Sequence, residues 1–445
     1  MRIILIGFMG SGKSVSGKLI AETFGLNFKD LDTEIESCAN GLSITDIFKE
    51  EGESCFRKRE CSTAIKLQDE KRVVIATGGG APLFEHTLEA LRAKGSQSAT
   101  TFVWLDLPFA ELQKRVANTK ERPLFADQKK AKRLFEHRYP LYQSIADIRI
   151  CVNESESVEQ VTQRIVTLIK KRKRAVIIGS DTSGSLSPRM HNAAYKKLNL
   201  NDTFFFDFAS LAVEQVEGFL NQARSNNYAG VTVTIPFKEA VMPFLDTLSP
   251  EAQAIGAVNT VVVKDKKLHG YNTDWYGVIK PLQNLQSSLK GREVLVLGAG
   301  GAARAAIWGL VQQGCRVTIF NRTVAKAQAL ARKFSCHVIE DYSLSDYDII
   351  INTIPEQSNW RARLHRAQKP PLDQARCNRA LQIFFDMNYT STGSTKLLQT
   401  AKDLGFTTID GREMLLWQGV KQFELYTESK APVEVMRESI GLSPL

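Results

Sequence analysis

A glycine-rich segment follows an apolar run at the very start of the sequence, and it leaves few choices of fold. The run MRIILI leads into GFMGSGKS, Gly7–Ser14, which fits the pattern G-x-x-x-x-G-K-[S/T], and the amphipathic stretch VSGKLIAETFG comes next. A strand, a loop and a helix in this order form a phosphate loop, in which backbone N–H groups and the helix N-terminus surround phosphates. The sequence therefore predicts an α/β domain with a nucleoside triphosphate site, in preference to a glycine turn with only a structural role.

The side chains of this loop have separate expected roles. Lys13 is expected to reach the β- and γ-phosphates of ATP, and the Ser14 hydroxyl to bind Mg²⁺. Two carboxylates follow in FKDLDTEIE, where Asp30 is assigned to the metal and Asp32 to the acceptor hydroxyl. Capping of a helix by Asp32 is an alternative that does not exclude this role. The predicted ATP contacts are Gly7, Gly10, Ser11, Gly12, Lys13 and Ser14.

A second glycine-rich turn lies in EVLVLGAGGAARAA, Glu293–Ala306, and has the form G-x-G-x-x-A. The run CRVTIF supplies the next strand at the distance expected of a βαβ dinucleotide-binding unit. That strand is followed by Asn321-Arg322-Thr323 instead of an acidic residue, and a guanidinium there favours the 2′-phosphate of NADP over NAD. A surface arginine is the alternative. The predicted cofactor contacts are Gly298, Gly300, Gly301, Ala302, Asn321, Arg322, Thr323 and Lys326.

One chain thus carries a phosphoryl-transfer and a hydride-transfer signature, which indicates a fusion. Its 445 residues suit about three domains. The net charge of +10 falls to +5 without the five cations of Lys170–Arg174. This run contains no interleaved aromatic residue, so it favours a solvated helix end and a short join to a strand at Ala175 over nucleic-acid binding.

Seven cysteines without a C-x-x-C pair indicate reduced thiols and no zinc site. The sequence shows neither a signal peptide nor an apolar run of about 18 residues, so we expect no membrane association and a cytoplasmic location. The partners expected are small anionic metabolites. The oligomeric state is left open.

Five further motifs of the N-terminal part occur in the order DLD, FRKRE, GGG, RPL and HRYPLY. Together with the phosphate loop, these motifs resemble those of shikimate kinase over residues 1 to about 172. The alternative is another small-metabolite kinase of the same fold, such as a gluconate-type enzyme. The resemblance implies that Lys13, Arg122 and Mg²⁺ offset charge on the transferred phosphoryl group, while Asp32 orients the 3-hydroxyl. The implied shikimate contacts are Asp32, Arg57, Gly79, Gly80 and Arg138.

In the C-terminal part, Lys238 and Asp274 each follow a strand-like run upstream of the dinucleotide site, which suggests a proton-handling pair. Taken singly, each motif residue has a structural alternative. Ser187, for example, would cap a helix with Pro188 as its first residue.

The motifs S-x-S-P, T-x-P-x-K, G-A-V-N-T, N-T-D, G-A-G-G-A, N-R-T and G-x-x-M-L-x-x-Q resemble shikimate dehydrogenase over residues 174 to 445. The resemblance implies NADPH-dependent reduction of 3-dehydroshikimate, with Lys238 and Asp274 as the catalytic pair. The implied substrate site is Ser185, Ser187, Thr234, Lys238, Asn259, Asp274, Tyr389 and Gln418.

Three departures accompany this resemblance. Gly184 stands where the family usually has His, Thr232 stands where Asn or Ser is usual, and residues 354–379 lack the family's Gly-Met loop. They leave the Lys–Asp pair intact and bear on the nicotinamide-side contacts.

The expected architecture is α/β throughout: a P-loop kinase domain with a parallel sheet (1–172), an α/β substrate-binding domain (173–283) and a Rossmann-type NADP domain (284–410). The last helices (411–445) are expected to pack back on the substrate domain. The alternative function is that one half is a degenerate binding or regulatory module.

Overall fold

The structure is a computed structural model that describes residues 1–39, 41–92, 100–117, 127–354, 382–390 and 395–444. The chain divides into two compact units. One contains Met1–Arg172 with Asn199–Phe208, and the other contains Lys173–Leu198 with Ala209–Leu445. Within the described residues, no helix is long and apolar enough to cross a bilayer.

The first unit is built on a parallel sheet. Its strands are β1 (Arg2–Ile6), β2 (Asn27–Asp30), β3 (Val73–Ala76), β4 (Thr100–Asp106) and β5 (Ile148–Cys151). Their order is β2-β3-β1-β4-β5, and each neighbouring pair is parallel. The central strand β1 is completely buried, as the apolar run Ile3–Ile6 predicts, and its first residue, Arg2, is buried with it.

The helices of this unit connect the strands. They are α1 (Lys13–Phe24), α2 (Leu31–Cys38), α3 (Ile44–Glu50), α4 (Gly52–Lys66), α5 (Glu85–Arg92), α6 (Phe109–Ala117), α7 (Gln128–Ile145) and α8 (Val158–Lys171). The alternative in which Asp32 caps α2 was wrong. Asp30, still in extended conformation, accepts a hydrogen bond from the Asp32 N–H at 3.1 Å, so the helix begins at Leu31 and Asp32 lies in its first turn.

The basic run Lys170–Arg174 lies where the two units divide. Helix α8 begins with a capping box formed by Ser157 and Gln160, which have the S-x-x-Q spacing of that motif, and it ends at Lys171. The next strand begins at Lys173, two residues before its expected start. The prediction that all five cations are solvated was wrong, because Arg172 is only 8 % exposed and its guanidinium lies 4.7 Å from the Phe205 ring centroid. The cation is covered by an aromatic face that only the tertiary structure supplies.

The second unit contains two sheets. The strands of the first are β6 (Lys173–Gly179), β7 (Phe204–Ser210), β8 (Tyr228–Val233), β9 (Thr247–Leu248), β10 (Thr260–Lys264) and β11 (Lys267–Tyr271). Strand β7 spans the division between the units. Five of the strands follow the order β6-β8-β10-β11-β9. The pairs β6–β8 and β11–β9 are parallel and the two pairs of β10 are antiparallel, so this sheet is mixed.

The other sheet is entirely parallel in its described pairs. Its strands are β12 (Glu293–Leu297), β13 (Arg316–Phe320), β14 (His337–Ile339), β15 (Ile349–Asn352), β16 (Ile383–Asp386) and β17 (Thr407–Ile409). The order β14-β13-β12-β15-β16-β17 is that of a dinucleotide-binding doubly wound sheet, with its ligand crevice beside β12. The predicted α/β fold class with a Rossmann-type sheet is confirmed.

Helices of the second unit place the functional side chains. They are α9 (Ser187–Lys197), α10 (Val216–Ser225), α11 (Pro250–Ile255), α12 (Asp274–Leu285), α13 (Gly301–Gln312), α14 (Val324–Phe334), α15 (Lys396–Asp403), α16 (Gly411–Thr427) and α17 (Val433–Ser439). Helix α9 begins at Ser187, with Leu186 at the capping position, so the structural alternative in which Ser187 caps this helix was wrong. Helix α16 packs against α12 and α9, and α17 packs against α9.

Candidate active sites

The phosphate loop of the first unit connects β1 to α1. Gly7 has φ +144°, and a Cβ there would lie 2.7 Å from the Leu105 carbonyl oxygen, so only glycine fits. The Lys13 side chain is 8 % exposed, and its ammonium donates to the carbonyl oxygens of Gly7 and Phe8 at 2.9 Å each. The loop thus encloses a cation at the N-terminus of α1, which is an arrangement suited to phosphate oxygens.

Ser14 and Asp30 meet beside this loop. The Ser14 hydroxyl donates to Asp30 Oδ2 at 2.5 Å, which brings the end of β2 to the first turn of α1. A hydroxyl and a carboxylate are the hard oxygen donors that Mg²⁺ prefers, and this ion commonly takes its remaining ligands from water and phosphate. The two predicted metal-site residues therefore fit a Mg²⁺ site completed by the nucleotide. Among the described residues, no group of three or more His, Cys, Asp or Glu side chains could hold a metal by itself.

The triple glycine after β3 allows three charged side chains to come together. A Cβ at Gly78 would lie 2.8 Å from Asp32 Oδ1, one at Gly79 would lie 3.3 Å from an Arg138 Nη, and one at Gly80 would lie 2.7 Å from an Arg57 Nη. Five of these residues were predicted as substrate contacts, namely Asp32, Arg57, Gly79, Gly80 and Arg138, and Gly78 adjoins them. The structure therefore assembles the predicted set from four separate segments. Arg122 lies outside the described residues.

Glu60, which is not among the predicted site residues, joins this group. The side chain is fully buried, and Arg57 donates to its Oε2 at 2.7 Å. Burial raises the pKa of the Glu60 carboxyl, and the charges of Arg57 and Arg138 oppose that rise. The motif FRKRE could have indicated Glu60 as a site residue, because Glu60 lies three residues after Arg57 and therefore on the same face of α4.

In the second unit, Lys238 and Asp274 form the predicted pair. The Lys238 Nζ lies 2.5 Å from Asp274 Oδ2, and the two side chains are 13 % and 4 % exposed. Lys238 follows β8, and its carbonyl accepts from the Val258 N–H at 2.8 Å, which fixes its backbone. Asp274 begins α12, where the helix N-terminus favours a carboxylate. A shielded ammonium–carboxylate pair of this kind can deliver a proton to a reacting oxygen.

Two predicted amide side chains adjoin this pair. Asn259 Nδ2 donates to Asp274 Oδ1 at 2.8 Å and to Gln418 Oε1 at 3.3 Å. Thr234 is not hydrogen-bonded to this group in the described part of the chain. Its backbone N–H donates to the Ile178 carbonyl at 2.9 Å, beyond the end of β8.

A second cluster contains the remaining predicted substrate residues. Ser185 Oγ accepts from the Ser187 N–H at 3.2 Å. Desolvation raises the pKa of the Tyr389 hydroxyl, and hydrogen bonding with Ser185 and the Leu186 backbone opposes that rise, so Tyr389 lies beside the start of α9. Three hydroxyls therefore gather at one helix terminus.

The dinucleotide turn lies close to the Lys–Asp pair. Gly298 has φ +115°, and its N–H donates to the Phe320 carbonyl at 2.8 Å, which places the turn beside Asn321. A Cβ at Gly301 would lie 4.0 Å from Lys238 Cδ. Asn321 Nδ2 donates to the Thr323 carbonyl at 2.9 Å. The side chains of Arg322 and Thr323, after β13, and of Lys326, in the first turn of α14, are exposed and could receive a ribose phosphate.

The departures from the family pattern have distinct surroundings. A Cβ at Gly184 would meet no atom within 4 Å, so the loop has space for a larger residue there. Thr232 is buried, and its hydroxyl lies 2.9 Å from the Tyr426 hydroxyl. It therefore packs against α16. Residues 355–379 lie outside the described residues.

Together the fold and these sites define a P-loop kinase followed by a dehydrogenase with separate substrate and dinucleotide sheets. Family models match in the same order: shikimate kinase over residues 9–170, the shikimate dehydrogenase substrate binding domain over 177–261, shikimate/quinate 5-dehydrogenase over 281–387, and the shikimate 5′-dehydrogenase C-terminal domain over 411–440.

A shikimate dehydrogenase (NADP⁺) of Carboxydothermus hydrogenoformans is 40% identical over 280 residues, which cover 60% of this chain and 96% of that protein. The crystal structure of shikimate dehydrogenase from Aquifex aeolicus has a TM-score of 0.53 at 33% identity, covering 61% of this chain and 98% of that one. A Thermus thermophilus structure in complex with NADP(H) and shikimate has a TM-score of 0.51 at 33% identity, covering 60% and 98%. The chain belongs to the shikimate dehydrogenase family, and a shikimate kinase domain precedes that part.

Behind the dehydrogenase site, His191 of α9 is fully buried against Phe423 of α16. Burial lowers the pKa of His191 from 6.5 to about 3, against the opposing effect of the Gln422 side chain. The unfolded chain therefore binds a proton that the folded chain does not between these pH values, and acidification destabilises the fold. Between pH 7 and pH 5, we expect the protonation of this one residue to lower the free energy of unfolding by about 2 kcal/mol.

His191→Gln should consequently show a smaller drop in melting temperature between pH 7 and pH 5 than the wild type. Calorimetry of the full chain measures this, with the dehydrogenase transition identified as the one that NADPH shifts upward. His337→Gln, at an exposed position of the same unit, is the matched control. An unchanged pH dependence in His191→Gln would contradict the assignment.

Proposed function

We propose that the chain catalyses two consecutive reactions. The C-terminal unit reduces 3-dehydroshikimate to shikimate with NADPH, and the N-terminal unit phosphorylates shikimate at the 3-hydroxyl with ATP and Mg²⁺. The observation that carries the proposal is the shielded Lys238–Asp274 pair, 2.5 Å apart and adjacent to the dinucleotide turn, in a chain that also has a complete phosphate loop. The boundaries 1–172, 173–283, 284–410 and 411–445 are proposed as the functional domains.

For the reduction, bound NADPH supplies a hydride to the C3 carbonyl. Lys238 donates a proton to the oxygen on which negative charge develops, and Asp274 holds the ammonium in place. Asn259 and Gln418 fix the pair, and the cluster of Ser185, Ser187 and Tyr389 binds the carboxylate end of the substrate with hydroxyl groups.

For the phosphorylation, Arg57 and Arg138 bind the shikimate carboxylate, for which a guanidinium is the natural bidentate partner. Asp32 orients the 3-hydroxyl toward the γ-phosphate. Lys13 offsets the charge of the phosphoryl group, and Ser14 with Asp30 would hold the metal ion. The proposed partners are these small molecules alone, in the cytoplasm.

A screen of the purified full chain tests both assignments. We expect NADPH oxidation with 3-dehydroshikimate, and ATP consumption with shikimate and not with gluconate. Equal or greater ATP consumption with gluconate would contradict the kinase assignment, and failure to oxidise NADPH would contradict the dehydrogenase assignment.

Arg322 gives a prediction for cofactor choice. It is exposed at the end of β13, and loss of one charge-assisted contact to the 2′-phosphate in Arg322→Ala should raise the KM for NADPH about 10- to 100-fold. The KM for NADH should change little, because NADH lacks that phosphate. Arg332→Ala, at an exposed position of α14, is the control. An equal rise in KM for NADPH and for NADH would contradict the role of Arg322.

A further inference from the structure

The orientation of the Asn259 side-chain amide is determined by groups on its far side from Asp274. Asn259 Oδ1 accepts from the Thr273 backbone N–H at 2.8 Å and from the Thr260 hydroxyl at 2.8 Å. A backbone N–H can only donate, so Oδ1 must face Thr273 and the Nδ2 group must face Asp274. The reversed amide would bring two oxygen acceptors together at Asp274.

The Thr260 hydroxyl is in turn directed by Gln422. Gln422 Nε2 donates to Thr260 Oγ1 at 3.0 Å, and the hydroxyl donates to Asn259 Oδ1 at 2.8 Å, a shorter distance than the 3.3 Å to the Thr273 hydroxyl. Both residues are fully buried, so no solvent competes for these bonds. Gln422 also donates to the Asn259 backbone carbonyl at 3.5 Å.

Helix α16 therefore acts on Asn259 through two side chains. Gln418 accepts from the Asn259 amide, and Gln422, one turn later on the same face, donates to the Asn259 carbonyl and to Thr260. The chain of bonds runs from Gln422 through Thr260 and Asn259 to Asp274, and ends at Lys238.

We propose that Thr260 and Gln422 are positioning residues for the reduction. Together with the Thr273 backbone N–H, they set the rotation of the Asn259 amide, which holds the Asp274 carboxylate in the position that pairs with Lys238. This inference rests on the proposed dehydrogenase function. It predicts an effect on the chemical step greater than on cofactor binding, because the chain of bonds ends at the proton-donating pair and not at the dinucleotide turn.

Thr260→Val removes the hydroxyl and keeps the shape of the side chain. We expect it to lower kcat for 3-dehydroshikimate reduction about 10-fold, a loss typical of residues that orient a catalytic group. The KM for NADPH should be unchanged. Because the Lys238–Asp274 pair is disturbed, the pH profile of kcat should shift as well. Thr260→Ser retains the hydroxyl and should restore both kcat and the profile.

The measurement compares wild type, Thr260→Val, Thr260→Ser and Gln422→Met in full-length protein, at matched occupancy by NADPH. Gln422→Met replaces the amide with an apolar side chain of similar length and should repeat the Thr260→Val phenotype. This second variant keeps the test decisive if one of the two folds poorly. A wild-type kcat and pH profile in both Thr260→Val and Gln422→Met would overturn the proposal. The proposal would also be overturned if Thr260→Ser and Thr260→Val lowered kcat equally and left its pH profile unshifted. A wild type that does not reduce 3-dehydroshikimate at all would instead contradict the proposed function.

Discussion

Lys238→Ala is expected to lower kcat for 3-dehydroshikimate reduction by about 10²- to 10⁴-fold, the range associated with loss of a positioned acid–base group. The Lys238 ammonium lies 2.5 Å from Asp274 and is largely shielded from solvent, so water does not readily replace it as a charge-stabilising donor at this position. Steady-state rates with NADPH measure the effect.

Lys267→Ala is the matched control, because that lysine is exposed at the start of β11. It should leave the reduction unchanged, and ATP-dependent phosphorylation of shikimate should be normal in both variants. A Lys238→Ala protein with full dehydrogenase activity would show that the assigned role is wrong.

Lys13→Met should have the complementary effect on the other reaction. The phosphate loop holds the Lys13 ammonium against the Gly7 and Phe8 carbonyls, where it would neutralise charge on the transferred phosphoryl group. Removal of that charge is expected to lower the kinase kcat by at least about 10²-fold. The measurement is shikimate-dependent ATP consumption.

Lys18→Met, an exposed position on the same helix α1, controls for loss of a lysine without loss of a phosphate contact. Reduction of 3-dehydroshikimate should be the same in wild type and in both α1 variants. If Lys13→Met phosphorylated shikimate at the wild-type rate, the loop would not be the site of phosphoryl transfer.

Features set by neighbouring residues were predictable from the sequence. The strand, loop and helix of the phosphate site follow from apolar runs and glycines, and the capping box of α8 requires only Ser157 and Gln160. Features that depend on distant packing were not. Arg172 is buried because Phe205 covers it, and nothing within the basic run KKRKR indicates that contact.

In the candidate sites, too, the sequence predicted individual residues, whereas their packing partners came from the tertiary structure. The motifs identified Lys238 and Asp274 separately, and the fold brings them within 2.5 Å although they are 36 residues apart. Glu60 and Gln422 were missed, because the tertiary structure decides whether a carboxylate or an amide on a helix is buried in a site. Both nevertheless lie one helical turn from a residue that the motifs did identify, Arg57 and Gln418, so helical spacing was a usable signal.

The central claim is that one chain carries both reactions. Its most direct test is to incubate the purified full-length protein with 3-dehydroshikimate, NADPH and MgATP and to follow the products by mass spectrometry. We predict shikimate 3-phosphate when both cosubstrates are present, shikimate alone when ATP is omitted, and neither product when NADPH is omitted. Accumulation of unphosphorylated shikimate with MgATP present, or unreacted 3-dehydroshikimate with NADPH present, would show that one half does not catalyse its reaction.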